Sequence, residues 1–200
     1  QIGLLSGGTT VRKQGVFSRL NDKAVTFTKA LLQKILLEQN GKNFVSDLFI
    51  HFGKVLLQDS TTLRLPQILN KIFTGNHSRG EQKAVARIQT VIDIKRMKFI
   101  DFVLGSFTQN DQSASSSIVQ WVRKGDIVIR DLGYFAIATF EKLIKAEVYF
   151  LSRLKYGVKI TDEQGKELGL NKILRQGRMV DQWVFIGIEK KIKARLVMLP

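Results

Sequence analysis

Two aspartates stand where apolar runs end. Asp59 follows Lys54-Val55-Leu56-Leu57-Gln58 and leads into Ser60-Thr61-Thr62, while Asp131 follows Ile127-Val128-Ile129-Arg130 and opens Asp131-Leu132-Gly133-Tyr134-Phe135. A carboxylate just past an apolar strand sits on a rigid support with its oxygens free. Two of them on adjacent strands can share a hard cation such as Mg2+ or Mn2+. In a basic protein such a pair would align a phosphodiester, turn water into a nucleophile and stabilise a leaving 3′ oxygen. Aspartates also cap turns and helices very commonly, and spacing alone leaves both roles open. The rest of the composition narrows the metal chemistry. Cysteine is absent and the two histidines, His51 and His77, are far apart, so a divalent ion here has to be a hard one held by carboxylates.

Charge supplies the second signal. Lys and Arg outnumber Asp and Glu by 32 to 17, a net charge of +15, and the excess is spread through the chain. A surplus of that size draws in a polyanion by counterion release, and duplex nucleic acid is its commonest source. An anionic membrane surface competes, but no strongly amphipathic, lysine-faced helix is evident, and no apolar run reaches the roughly 18 residues of a membrane span. The densest basic cluster is Lys190, Lys191, Lys193 and Arg195. It reads as a DNA-backbone patch or as a solvated strand face. Arg130 is a candidate phosphate contact with a plain surface role as its alternative. Tyr134 is open between base stacking and packing, whereas Phe135 and Trp183 read as core. Asp93 and Asp101, on strands, read as solvated or salt-bridged.

The elements that must carry these residues follow from periodicity. Asp22 to Glu38 has helical spacing with Gly41 as a stop, and Phe44 to Phe52 suits a second short helix. Strands are expected over Lys54–Leu65, Ala84–Ile94, Lys98–Leu104, Asp126–Arg130 and Glu147–Leu154, with a polar loop over Thr74–Gln82. Helices are expected from Asp111 or Ser113 to Lys124 and over Phe135–Lys145. A hairpin of Trp183–Ile188 and Lys191–Met198 closes a smaller β-rich piece. Three antiparallel strands followed by α/β crossovers make a mixed sheet flanked by helices, the ribonuclease H-like arrangement. The expected divisions are 1–53 (a helical segment), 54–156 (the core) and 157–200 (the β-rich piece).

The segment Val55 to Pro66 resembles the first-aspartate strand of bacterial insertion-sequence transposases of the DDE type, in which Asp is followed by a small residue and Thr. Asp131-Leu132-Gly133-Tyr134-Phe135 resembles that family's second-aspartate motif of Asp, any residue, Gly, then an aromatic. Leu151-Ser152-Arg153-Leu154 and the β-rich stretch after it resemble the insertion that many members place before the third acid. The resemblance runs from about Phe44 to Pro200. It implies Asp59 and Asp131 as the first two ligands of Mg2+ or Mn2+, transposon-end and target DNA as partners, homodimers in the DNA complex, and work at the bacterial nucleoid in the cytoplasm. The family's Tyr-x-x-Arg-x-x-x-Glu pattern has no counterpart in this chain, so the third catalytic Glu is expected beyond Pro200. Outside this resemblance, a ribonuclease H-like nuclease unconnected with transposition and a non-catalytic basic DNA-binding module are the alternatives.

Overall fold

The computed structural model describes residues 13–38, 47–78, 81–108, 111–175, 177 and 179–199. The chain divides into two compact units, Gln1–Gly41 and Lys42–Pro200. The first holds α1 (Lys13–Phe17) and α2 (Asp22–Leu37). Asn21 starts α2, its side-chain oxygen accepting the N–H groups of Lys23 and Ala24 and so satisfying two of the donors a helix start leaves free. The expected stop at Gly41 lies outside the described residues. So do residues 44–46 of the expected second helix, whose Asp47–Phe49 form a 3-10 turn.

The second unit is built on a mixed sheet. Its strands are β1 (Val55–Arg64), β2 (Thr74–Ser78), β3 (Glu81–Asp93), β4 (Lys98–Ser106), β5 (Ile127–Arg130) and β6 (Tyr149–Ser152). β3 pairs antiparallel with both β1 and β4, while β5 runs parallel to β1 and β6 parallel to β5. The order β4-β3-β1-β5-β6 is the ribonuclease H-like arrangement that the strand sequence predicts, with β1 in the middle. β2 departs from expectation: Thr74–Ser78 is a strand against β3 rather than a loop, entered through an irregular register. Gly75 permits that approach, since a Cβ there would lie 2.6 Å from the Lys83 carbonyl oxygen.

Between β4 and β5 the expected long helix shrinks to α3 (Asp111–Ala114) and a 3-10 stretch, Ser115–Gln120. Serine chemistry accounts for this. Ser115 Oγ donates to the Tyr134 carbonyl and Ser117 Oγ to the Ala114 carbonyl, bonds that hold the backbone out of a regular helix. α4 (Ile137–Lys145) is the crossover from β5 to β6 and packs Phe140 and Leu143 onto the sheet. Phe140 stacks on Phe150 of β6 with ring centroids 4.4 Å apart.

A second, three-stranded antiparallel sheet contains β7 (Ile160–Thr161), β8 (Val180–Ile186) and β9 (Ile192–Met198), with α5 (Leu170–Arg175) between β7 and β8. In β9, Ile192, Ala194 and Leu196 are buried while Lys193 and Arg195 face out, the alternation predicted for it. These inward residues join Leu56, Val128, Ile118 and Phe140 in one apolar cluster, so both sheets share a core. Among the described residues, no helix is long and apolar enough to cross a membrane.

Candidate active site

Both ends of the β1–β5 pair are tied by side chains. At the start, the buried Asp126 accepts the backbone N–H groups of Lys54 and Arg123, both at 2.8 Å, and pairs with Lys54 Nζ at 3.5 Å. At the finish, Gln58 and Arg130 are register partners, and Arg130 Nη2 donates to Gln58 Oε1 at 2.5 Å. Arg130 Nη2 also donates to the carbonyl and hydroxyl oxygens of Ser115 at 2.6 and 3.0 Å. Gln58 Nε2 reaches the Ala114 carbonyl at 3.2 Å and Ser117 Oγ at 3.3 Å. The parallel strands are thus fixed against each other and against the segment that covers them.

Asp59 and Asp131 are the next residues along. Side chains alternate across a strand, so they turn away from Gln58 and Arg130, to the face opposite α4. There both line one open basin of about 510 Å³ with Leu57, Ile129, Leu151 and Arg153. Asp59 Oδ1 accepts the N–H of Ser60 at 2.8 Å, and its carbonyl accepts Thr90 Oγ1 at 3.1 Å. Asp131 precedes the 3-10 turn Leu132–Tyr134, yet its side chain makes no capping hydrogen bond there. That carboxylate meets Arg153 Nη1 at 3.4 Å, both side chains being largely exposed. Two such oxygen-donor groups suit a hard divalent cation. Among the described residues no cluster of three or more His, Cys, Asp or Glu side chains gathers.

Several expectations are corrected here. Arg130 is not a surface phosphate contact: it is 3% exposed, because it shares the inward face of β5 with Val128. Burial pushes its guanidinium down to about 10. Tyr134 is buried as well, and its hydroxyl donates to Gln89 Oε1, so it does not offer a ring for stacking. Trp183 is 53% exposed instead of core, paired across β8 and β9 with Arg195 and lying under Lys193 Nζ. The basic cluster is exposed but partnered. Arg195 forks onto Asp181 at 2.6 and 2.5 Å, Lys193 meets Glu163 at 2.6 Å, and Lys190 meets Glu141 at 3.6 Å. Lys191 is exposed too. None of these four lines the aspartate basin.

Asp111 is a residue whose weight the sequence does not reveal. It accepts Ser60 Oγ and Arg87 Nη1, each at 2.7 Å, and Gln89 Nε2 at 3.0 Å. Burial raises its carboxyl, but the bonds from Ser60, Gln89 and Arg87 outweigh that and leave it below the usual carboxylate range. The glycine of the second motif is explained by the same carboxylate. A Cβ on Gly133 would stand 2.8 Å from Asp111 Oδ2. The turn after Asp131 and the strand carrying Asp59 therefore close on one anchor.

The strand order is that of the ribonuclease H-like class. The transposase DDE domain family matches residues 50–197, and the chain belongs to that family. It is 28% identical over 95% of its length to the transposase for insertion sequence element IS231F of Bacillus thuringiensis subsp. israelensis, covering 44% of that protein. It is 24% identical over 92% of its length to the transposase for insertion sequence element IS1151 of Clostridium perfringens, again covering 44%. The chain thus spans less than half the length of these relatives. A piggyBac transposase synaptic complex with hairpin DNA aligns with a TM-score of 0.46 and 14% identity, over 89% of this chain and 40% of that one.

Proposed function

We propose that this chain is the larger part of the catalytic core of a DDE-type DNA transposase, with Asp59 and Asp131 as the first two of three acidic ligands. The reading divides it into a helical segment (1–53), the catalytic core (54–156) and the start of a β-rich insertion (157–200). The complete protein cleaves phosphodiesters at transposon ends, where water attacks first, and the freed 3′ hydroxyl then attacks target DNA. Asp59 in β1 and Asp131 just past β5 would hold Mg2+ or Mn2+, and the third acid would come from the remainder of the protein. The bound cation supplies charge neutralisation at the scissile phosphate and the leaving oxygen. The partners are double-stranded DNA at transposon ends and target, met by a homodimer at the bacterial nucleoid, with Lys190, Lys191, Lys193 and Arg195 as a backbone-binding patch outside the basin.

One observation carries this reading: Asp59 within β1 and Asp131 just past β5 follow the last register pair of two adjacent parallel strands and line the same basin, and Asp131 is not spent on capping. A Mn2+ titration of the chain, followed by the loss of the free-ion electron paramagnetic resonance signal, tests it. Weak binding that disappears in Asp59→Asn and in Asp131→Asn is expected. Binding indifferent to both substitutions would remove Asp59 and Asp131 as ligands.

A further inference from the structure

Three parallel strands bring one row of residues together, where β5 and β6 end and β1 runs on to Arg64. Gln58 pairs with Arg130 and Arg130 with Ser152, so the residues that follow, Asp59, Asp131 and Arg153, lie side by side across β1, β5 and β6. All three line the same basin. The other arginine in that lining, Arg130, is buried and engaged by Gln58 and Ser115. Arg153, with a side chain 76% exposed, is therefore the solvent-facing cation of the basin among the described residues. Its pairing with Asp131 is long, at 3.4 Å, and open to water on both sides, so it holds the arginine loosely.

A phosphodiester entering this basin meets two carboxylates that repel it. A divalent ion offsets part of that charge. A guanidinium just past the end of β6 offsets more, and its planar fork matches two phosphate oxygens. We propose that Arg153 is the phosphate-binding residue of the site: it rests on Asp131 when DNA is absent and transfers to the backbone phosphate when duplex DNA enters. This inference rests on the metal-binding reading of Asp59 and Asp131. It goes beyond it by naming the group that touches substrate.

The test measures affinity for short duplex DNA in EDTA and in Mn2+, for the chain and for Arg153→Gln, Arg153→Lys and Asp59→Asn. Mn2+ alone is titrated against each protein in parallel. Mn2+ is expected to tighten duplex binding by the unmodified chain about tenfold, the scale of one charge-assisted, two-pronged interaction. Arg153→Gln should bind Mn2+ at least as tightly, because a competing cation beside Asp131 is gone, and yet lose that tenfold gain. Arg153→Lys, which keeps the charge without the fork, should recover part of it. A gain retained in Arg153→Gln, or no gain in the unmodified chain while Mn2+ is bound, would overturn the assignment to Arg153. Failure of the underlying reading shows separately in the DNA-free titration, as Mn2+ binding unaffected by Asp59→Asn.

Discussion

Gln58 and Arg130, each one residue before a candidate ligand, are joined across β1 and β5 by a buried hydrogen bond of 2.5 Å. The bond lies on the inward face and the aspartates on the outward one, so the tie fixes the strands beneath the carboxylates without occupying the basin. It comes with a cost. Arg130 Nε and Nη1 are buried without hydrogen-bond partners among the described residues, and the rings of Tyr134 and Phe140 lie 5.6 and 5.7 Å from its guanidinium carbon.

Removing the acceptor exposes that cost. Gln58→Leu should lower stability by about 2–3 kcal/mol in urea unfolding, because a buried guanidinium loses a charge-assisted bond. Gln58→Glu should recover only part of that loss at neutral pH, because Arg130 gains a carboxylate while the Ala114 carbonyl, to which Gln58 Nε2 donates, then faces an acceptor. A fully stable Gln58→Leu chain would mean that the two strands are held without this tie.

Asp111 predicts an acid-sensitive fold. Its carboxyl is lowered in the folded chain, so the stability it contributes is present above its unfolded value near 4 and is lost as pH falls through the lower folded value. Asp111→Asn should cost roughly 1–2 kcal/mol at pH 7 and flatten the decline in thermal midpoint below pH 4. An unaltered acid profile in the variant would remove Asp111 as the anchor.

Gly133→Ala places a methyl group against Asp111, whose carboxylate is held by three side chains. A loss of roughly 1–2 kcal/mol is expected, in line with forcing a methylene into a packed site. The loss should shrink when Asp111 is also replaced by Ala, a coupling that a double-mutant cycle reads directly. Additive losses would separate the motif glycine from the anchor.

The +15 charge predicts duplex binding that weakens by orders of magnitude between low and moderate salt. Reversing Lys191, Lys193 and Arg195 to Glu should weaken it further and flatten the salt dependence, by about 0.9 in logarithmic slope for each phosphate no longer neutralised. Asp181 and Glu163 already offset two of these cations, so the effect also measures how far those pairs open on DNA. Unchanged affinity would clear β9 of the role.

Much of the sheet was legible because apolar alternation and short turns fix neighbours: Ala84–Ile94 and Lys98–Leu104 read as a hairpin, and Ile127–Ile129 as a short buried strand. Local composition misleads where tertiary packing overrides it. Thr74-Gly75-Asn76-His77-Ser78 has loop chemistry, yet pairing with β3 draws it into the sheet. Trp183 looks like core by residue type, but the parity of β8 sends it outward, where Val184 and Ile186 go in. Arg130 could have been placed by that same parity, since it shares a face with Val128 and not with Asp131. Arg153 carried a weaker signal, its position just past β6 echoing that of Asp131 just past β5. Asp111 carried none, because its partners lie on β1 and β3, 22 to 51 residues away.

The most direct measurement is strand cleavage at a transposon end by the complete protein, the third acid included, with Asp59→Asn and Asp131→Asn compared in Mg2+. Each substitution should abolish cleavage while leaving duplex affinity nearly unchanged, because a ligand of the metal is lost and the basic surface is not. An Asp59→Asn or Asp131→Asn enzyme that still cuts would contradict the assignment of the site.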